Sequence, residues 1–248
     1  MKVRRFLVRS GNIRGQEATI EDLQEIRHMR QVLRLGIGDP VVLFDGSGKE
    51  YQATIIQCTP QKIILNVSRE LSGIATESHL RIILGMSVLR PNPFEWLIRK
   101  ATELGAAEIV PFYSSRAVPR WENSEREARQ TRWQKIAAEA AKQCRRTKVP
   151  PIHSPLPFRE ALAASYGDAG KIFLWEKGES GSLAKVLRPF PETIYALVGP
   201  EGGFSELEAL QAQEAGFRSV HLGPRILRAE TAGIVIMSLL QFIWGDLD

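Results

Sequence analysis

Residues Leu197–Glu208 read LVGPEGGFSELE, and how this stretch is parsed decides what surrounds it. An apolar run leads into three glycines and a proline, so the chain leaves a strand through a tight loop. Ser205 and Glu208 stand at capping-box spacing, which predicts a helix directly after Phe204. Strand, glycine loop and helix in that order often hold a phosphate on backbone N–H groups. Phosphate fits this loop badly. Gly199, Gly202 and Gly203 match neither GxGxxG nor the GxxxxGK pattern that ends in Ser or Thr, and Glu201 would repel an anion. Two readings remain: a plain tight turn, or a bare backbone approached by a neutral or cationic ligand.

Outward from this loop, strands alternate with helices. RIILGMSV, EIVPFYS, KIFLWE, TIYALVG and SVHLG are strand-like. Between them lie the helical runs PNPFEWLIRKATELG (stopped by Gly105), about Asn123 to Arg146, and SELEALQAQEAG. Alternation of this kind predicts an α/β domain with a largely parallel sheet. The apolar stretch Ala229–Trp244 falls short of the roughly 20 residues a bilayer span needs, and reads as a buried helix. Residues 1–72 differ. Val41–Asp45, Tyr51–Ile56 and Lys62–Val67 are short strands with glycine turns, interrupted by a helix from Glu21 to about Leu35. That helix is opened by Thr19 or Ile20 and closed by Gly36. Such a pattern predicts a small β-barrel. The polar SRELSGIATESH then reads as a linker, which gives two domains, 1–72 and 73–248.

The chain of 248 residues carries a formal charge of +5, and the charge is concentrated. Arg116 to Lys148 holds ten basic residues against four acidic. At helical spacing Arg132, Lys135, Glu139, Lys142 and Arg146 share one face, with Trp133, Ile136, Ala137, Ala140 and Cys144 beside it as the buried face. This is a surface for phosphate contact or a plain solvated helix face. Arg4, Arg5 and Arg9 form a smaller cluster near the N-terminus. Cys58 and Cys144 make no disulfide framework, and the N-terminus lacks the apolar core of a signal peptide, so a cytoplasmic protein is expected. The four histidines lack metal-ligand spacing, and no metal is expected.

LVGPEGGFSELE together with LGPRILRAETA (Leu222–Ala232) resembles the family of small-subunit ribosomal RNA uridine N3-methyltransferases in the SPOUT superfamily. RRFLV, GDPVVLFDGSGKEY, KATELG and the later RW…EAAKQCRR extend the resemblance over nearly the whole chain. It implies a small PUA-like β-barrel followed by an α/β trefoil-knot methyltransferase domain, and S-adenosylmethionine as cofactor. By position, the cofactor pocket would use Leu174, Leu197, Val198, Gly199, Pro200, Gly202, Gly203, Leu222, Gly223, Ile226 and Leu227. A cationic sulfonium and a neutral adenine would tolerate Glu201 in the loop.

The resemblance also implies methylation at N3 of one uridine of 16S rRNA (uridine 1498 in the usual rRNA numbering) by a homodimer, with the rRNA expected within the 30S subunit and naked RNA as the alternative substrate. Glu201 would take the N3 proton and Arg228 would stabilise charge on the uracil oxygens. RNA contacts are expected from Arg4, Arg5, Arg90, Arg116, Arg120, Arg132, Lys142, Arg145 and Arg146. Arg90 stands in RPNPFEW, where the family usually has a Lys–acidic–Arg stretch. Rival readings are another knotted RNA methyltransferase, acting on ribose 2′-OH or transfer RNA, and a non-catalytic RNA-binding assembly factor.

Overall fold

The computed structural model describes residues 4–71, 76–117, 121–164, 166–177, 183 and 191–247. The chain divides into two compact units, Met1–Glu77 with Ala141–Val149, and Ser78–Ala140 with Pro150–Asp248. The boundary read from sequence at 72/73 falls outside the described residues.

The first unit is built on six strands: β1 (Arg4–Leu7), β2 (Ile13–Arg14), β3 (Glu17–Ile20), β4 (Pro40–Phe44), β5 (Glu50–Cys58) and β6 (Ile63–Leu71). Their order in the sheet is β1-β4-β5-β6-β3-β2. Alternation puts Ala18, Ile20, Val41, Leu43, Ile63 and Leu65 inside, where the helical segment adds Ile26 and Met29. That segment corrects the sequence reading. Thr19 and Ile20 end β3, where Ile20 pairs with Ile63. The helix α1 is only Leu23–Arg27, and its cap is Asp22, which accepts from the backbone N–H of Gln24 (2.8 Å) and Glu25 (3.1 Å). A π-helical turn, His28–Val32, follows. The expected linker is also partly strand: Ser68–Leu71 continue β6, because β5 extends back to Glu50 and offers a partner.

The second unit carries β7 (Arg81–Ser87), β8 (Ala106–Tyr113), β9 (Leu156–Pro157), β10 (Gly170–Leu174), β11 (Thr193–Val198) and β12 (Arg218–Val220). They lie in the order β12-β10-β11-β7-β8-β9, and every pairing is parallel. Parallel neighbours need crossovers, here supplied by α2 (Pro91–Glu103), α3 (Asn123–Cys144), α4 (Phe158–Ala163) and α5 (Glu206–Glu214). The apolar α6 (Ala229–Trp244) is a helix, as the sequence predicts, and packs on β7, β11 and α2. Strand β12 ends at Val220, three residues earlier than SVHLG suggests, so His221–Gly223 belong to the loop beyond it.

Gly85, in the middle of β7, explains itself through its neighbours. A Cβ there would fall on Leu197 Cδ2 and 2.8 Å from the Tyr195 ring on β11. Tyr195 is fully buried and donates to the Ala161 carbonyl at 3.0 Å, so its ring has no room to retreat. Gly85→Ala should therefore destabilise the chain by about 1–3 kcal/mol through overpacking; equilibrium urea unfolding reads the loss.

Candidate active site at the carboxyl edge of the parallel sheet

A parallel sheet sends every loop that follows a strand to the same edge, the edge where ligands bind in such folds. Here that edge collects the chain after β7 (Arg90), after β8 (Ser114–Ala117), after β10 (Trp175–Glu176), after β11 (Gly199–Ser205) and after β12 (His221–Arg228).

The glycine loop is a tight turn packed on its own aromatic ring. Gly203 donates its N–H to the Pro200 carbonyl at 2.9 Å and sits at φ 64°, a conformation glycine adopts at little cost. A Cβ on Gly199 would stand 3.2 Å from the Phe204 ring. Phe204 in turn is buried among Phe112, Phe158 and Phe173. Leu197, Val198 and Pro200 are buried as well, so these residues offer a ligand backbone rather than side chain. Glu201 and Gly202 are exposed.

Two side chains fasten this loop, and the sequence signals only half of one of them. The capping box is present: Glu208 accepts from the Ser205 N–H (2.9 Å) and hydroxyl (3.0 Å). The same carboxylate accepts from the N–H (2.7 Å) and hydroxyl (2.9 Å) of Ser115, after β8. Burial on its own would raise the Glu208 pKa, but the hydrogen bonds from Ser205 and Ser115 outweigh it and hold the carboxyl below its usual range. Next to Ser115, Arg116 Nη1 donates to the Gly202 carbonyl at 2.7 Å. Neither Ser115 nor Arg116 stands in the glycine motif, and no spacing rule links them to it.

The flanking loops complete the edge. Leu174 is half-buried and pairs with Val220, while the Trp175 N–H donates to the Val220 carbonyl at 3.1 Å. Glu176, exposed, lies against the loop: its Oε1 is 3.4 Å from where a Gly203 Cβ would be. Beyond β12, Gly223 turns at φ 90°, Leu222 and Leu227 are half-buried, and Ile226 is 87% exposed. Arg228 is exposed at the N-cap of α6. The donor set fits S-adenosylmethionine better than a phosphate: bare glycine backbone, the carboxylates of Glu176 and Glu201, and an uncovered apolar Ile226. The expected cofactor residues thus stand on β10, on β11 and on the loops leaving β11 and β12.

The expected RNA contacts separate into two groups. Arg4, Arg90, Arg116, Arg132 and Arg145 are exposed, although Arg132 is held by Glu95 through bonds of 2.5 and 2.8 Å. That bond is what lowers the Glu95 pKa. Arg5, Lys142 and Arg146 are committed to carboxylates inside the first unit. Arg5 binds Glu50 and lies over the Phe44 ring, Lys142 binds Glu25 at 2.5 Å, and the buried Arg146 binds Glu77 at 2.8 and 3.1 Å. The single cationic face read from sequence is therefore corrected. Helix α3 ends at Cys144, Arg145 takes a positive φ of 68°, and Arg146 leaves the helix for Glu77. Arg120 lies outside the described residues. Among the described residues no group of three His, Cys, Asp or Glu could hold a metal ion, and no helix is long and apolar enough to cross a membrane.

Two family models match this chain: an RNA methyltransferase domain over residues 76–241 and an RNA methyltransferase PUA domain over residues 20–68. Similar curated proteins include ribosomal RNA small subunit methyltransferase E of a Synechocystis strain. It is 31% identical, with 91% of this chain and 73% of the relative covered. The protein of that name from Bacillus subtilis is 28% identical, with 88% of each chain covered. Among solved structures, a ribosomal RNA small subunit methyltransferase E from Neisseria gonorrhoeae bound to S-adenosyl methionine superposes with a TM-score of 0.89. It is 32% identical, with 99% of this chain and 100% of that one covered. A Legionella pneumophila structure in complex with bound SAM gives a TM-score of 0.90 at 28% identity, with both chains fully covered.

The Glu208 latch carries a pH signature. A carboxyl whose folded pKa is depressed contributes stability above its unfolded pKa and loses it as pH falls through the folded value. Glu208→Gln should cost about 1–2 kcal/mol at pH 7. The gap to the unsubstituted chain should close as pH drops below the ordinary glutamate value of 4.5. Urea unfolding at pH 7 and in steps below pH 4.5 measures both.

Proposed function

The chain belongs to the RNA methyltransferase family, and from that membership we propose that it transfers a methyl group from S-adenosylmethionine to N3 of a uridine in 16S ribosomal RNA, giving 3-methyluridine. The observation that carries this reading is the glycine loop Gly199–Phe204 at the carboxyl edge of the parallel sheet, lined by carboxylates and apolar side chains where a phosphate-binding loop would be bare of acid. The N. gonorrhoeae relative that superposes on the chain over nearly its whole length is a S-adenosyl methionine complex.

S-adenosylmethionine supplies an electrophilic methyl group on a cationic sulfonium. The chain's own residues hold and align. Backbone of Leu197–Gly203 and of Leu222–Leu227, with Leu174, forms the pocket walls, and Ile226 offers apolar surface to a purine. Glu176 and Glu201 place negative charge beside the loop, which favours a cation and disfavours free phosphate. Orientation of this kind removes a large part of a bimolecular barrier. The uridine N3–H must be lost during transfer, and the exposed Glu201 carboxylate is the base assigned to it. Arg228, exposed at the start of α6, sets a guanidinium where negative charge develops on the uracil oxygens. The edge bearing N3 is occupied in a base pair, so the target nucleotide must be unpaired or flipped.

RNA docking rests on the PUA-like first unit with Arg4, and on Arg90, Arg116, Arg132 and Arg145, the expected contacts that are exposed. The reading includes a cytoplasmic homodimer acting on 16S rRNA within the 30S subunit.

Nucleoside mass spectrometry on unmodified 16S rRNA and on unmodified 30S particles, each incubated with the protein and S-adenosylmethionine, tests the reaction. New 3-methyluridine is expected, with the 30S particle the better substrate; a 2′-O-methylated nucleoside, or none, would overturn it. In the same assay Arg228→Ala should lower kcat about a hundredfold while the Kd for S-adenosylmethionine changes less than about threefold.

A further inference from the structure

Arg116 is the cation that touches the glycine loop. Its Nη1 donates to the Gly202 carbonyl at 2.7 Å, and its side-chain carbons pass 3.4–3.5 Å from where a Gly202 Cβ would stand. The backbone that carries it is fixed too, because Ser115 donates twice to the buried Glu208 carboxylate. A guanidinium has five N–H donors in a flat fork. Among the described residues the Gly202 carbonyl is the only acceptor that Arg116 meets, and no carboxylate pairs with it. Arg132, Arg5 and Arg146 each bind a glutamate instead. Arg116 is exposed, and it opens the most basic stretch of the chain.

We infer that Arg116 couples RNA docking to cofactor binding: one guanidinium holds the Gly202 carbonyl and presents its free donors to a backbone phosphate of the RNA. This rests on the methyltransferase reading above and adds a positioning residue to it. A phosphate gripped by the fork immobilises the guanidinium. That in turn holds the Gly202 carbonyl and the positive φ of Gly203 beside it, the part of the loop that faces Glu176. RNA bound at Arg116 therefore preorganises the cofactor loop. By linkage, cofactor bound to the loop tightens RNA by the same factor.

The test uses S-adenosylhomocysteine, which carries no transferable methyl, so binding is read without turnover. Its Kd is measured by equilibrium dialysis on the full chain, with and without a saturating 16S rRNA transcript. The unsubstituted protein should bind it about fivefold or more tightly when RNA is present. Arg116→Ala should bind it more weakly, and equally with and without RNA. Arg116→Lys keeps the charge but not the fork, so it should retain RNA affinity at low salt and still lose the coupling. Unchanged thermal unfolding of both variants separates this from a folding defect. Full coupling in Arg116→Ala, or independent binding of RNA and S-adenosylhomocysteine to the unsubstituted protein, would overturn the inference and leave the functional reading standing. Failure of the unsubstituted protein to bind S-adenosylhomocysteine at all would reject the functional reading itself.

Discussion

Glu208 keeps its charge while buried, and the hydrogen bonds that permit this are the fastening on which the carboxyl edge depends. Without donors, a carboxylate taken out of water would protonate or rearrange. With the N–H and hydroxyl of both Ser115 and Ser205 it stays ionised, and in doing so it joins the loop after β8 to the loop after β11. The glycine turn is thereby stretched between a buried strand end and a fixed helix start. Gly203 reaches its positive φ, and Phe204 its aromatic pocket, inside a frame that cannot drift.

The charge of the molecule is distributed differently from its sequence. Arg116–Lys148 looks like one basic surface, but Lys142 and Arg146 neutralise Glu25 and Glu77, and Arg132 is tied to Glu95. What remains at the carboxyl edge is a mixed field. Arg90, Arg116, Arg225 and Arg228 are exposed there beside Glu176 and Glu201. Such a mixture suits two ligands of opposite sign, a polyanion outside and a cation within.

The local features were legible and the distant ones were not. Alternating strands and helices, the capping box at Ser205 and the apolar α6 all follow from periodicity or short spacing, and the structure has them. The start of α1 is hidden because Thr19 and Ile20 also suit a strand, and pairing with Ile64 and Ile63 makes them one. The end of α3 is hidden because Arg145 adopts a left-handed conformation that is usually signalled by glycine. The partners Glu25, Glu50 and Glu77 stand 117, 45 and 69 residues from the cations they bind. No pattern rule spans such gaps. The Ser115 bonds to Glu208 cross 93 residues, and the Arg116 bond to Gly202 crosses 86, so the braces of the candidate site were invisible for the same reason.

The segment Ala141–Val149 belongs to the first unit although the sequence places it far downstream. Arg5 on β1 donates to the Arg146 carbonyl at 3.2 Å, Val149 donates to the Gly46 carbonyl at 3.0 Å, and Lys148 bridges Gly46 and Ser47. Chains are synthesised from the N-terminus, and contacts of long sequence separation form late. The small unit therefore leaves the ribosome with its six strands present but its Glu25 and Glu77 unpaired. It closes only after residue 149 has emerged, so its maturation is timed by a domain that is itself still being made.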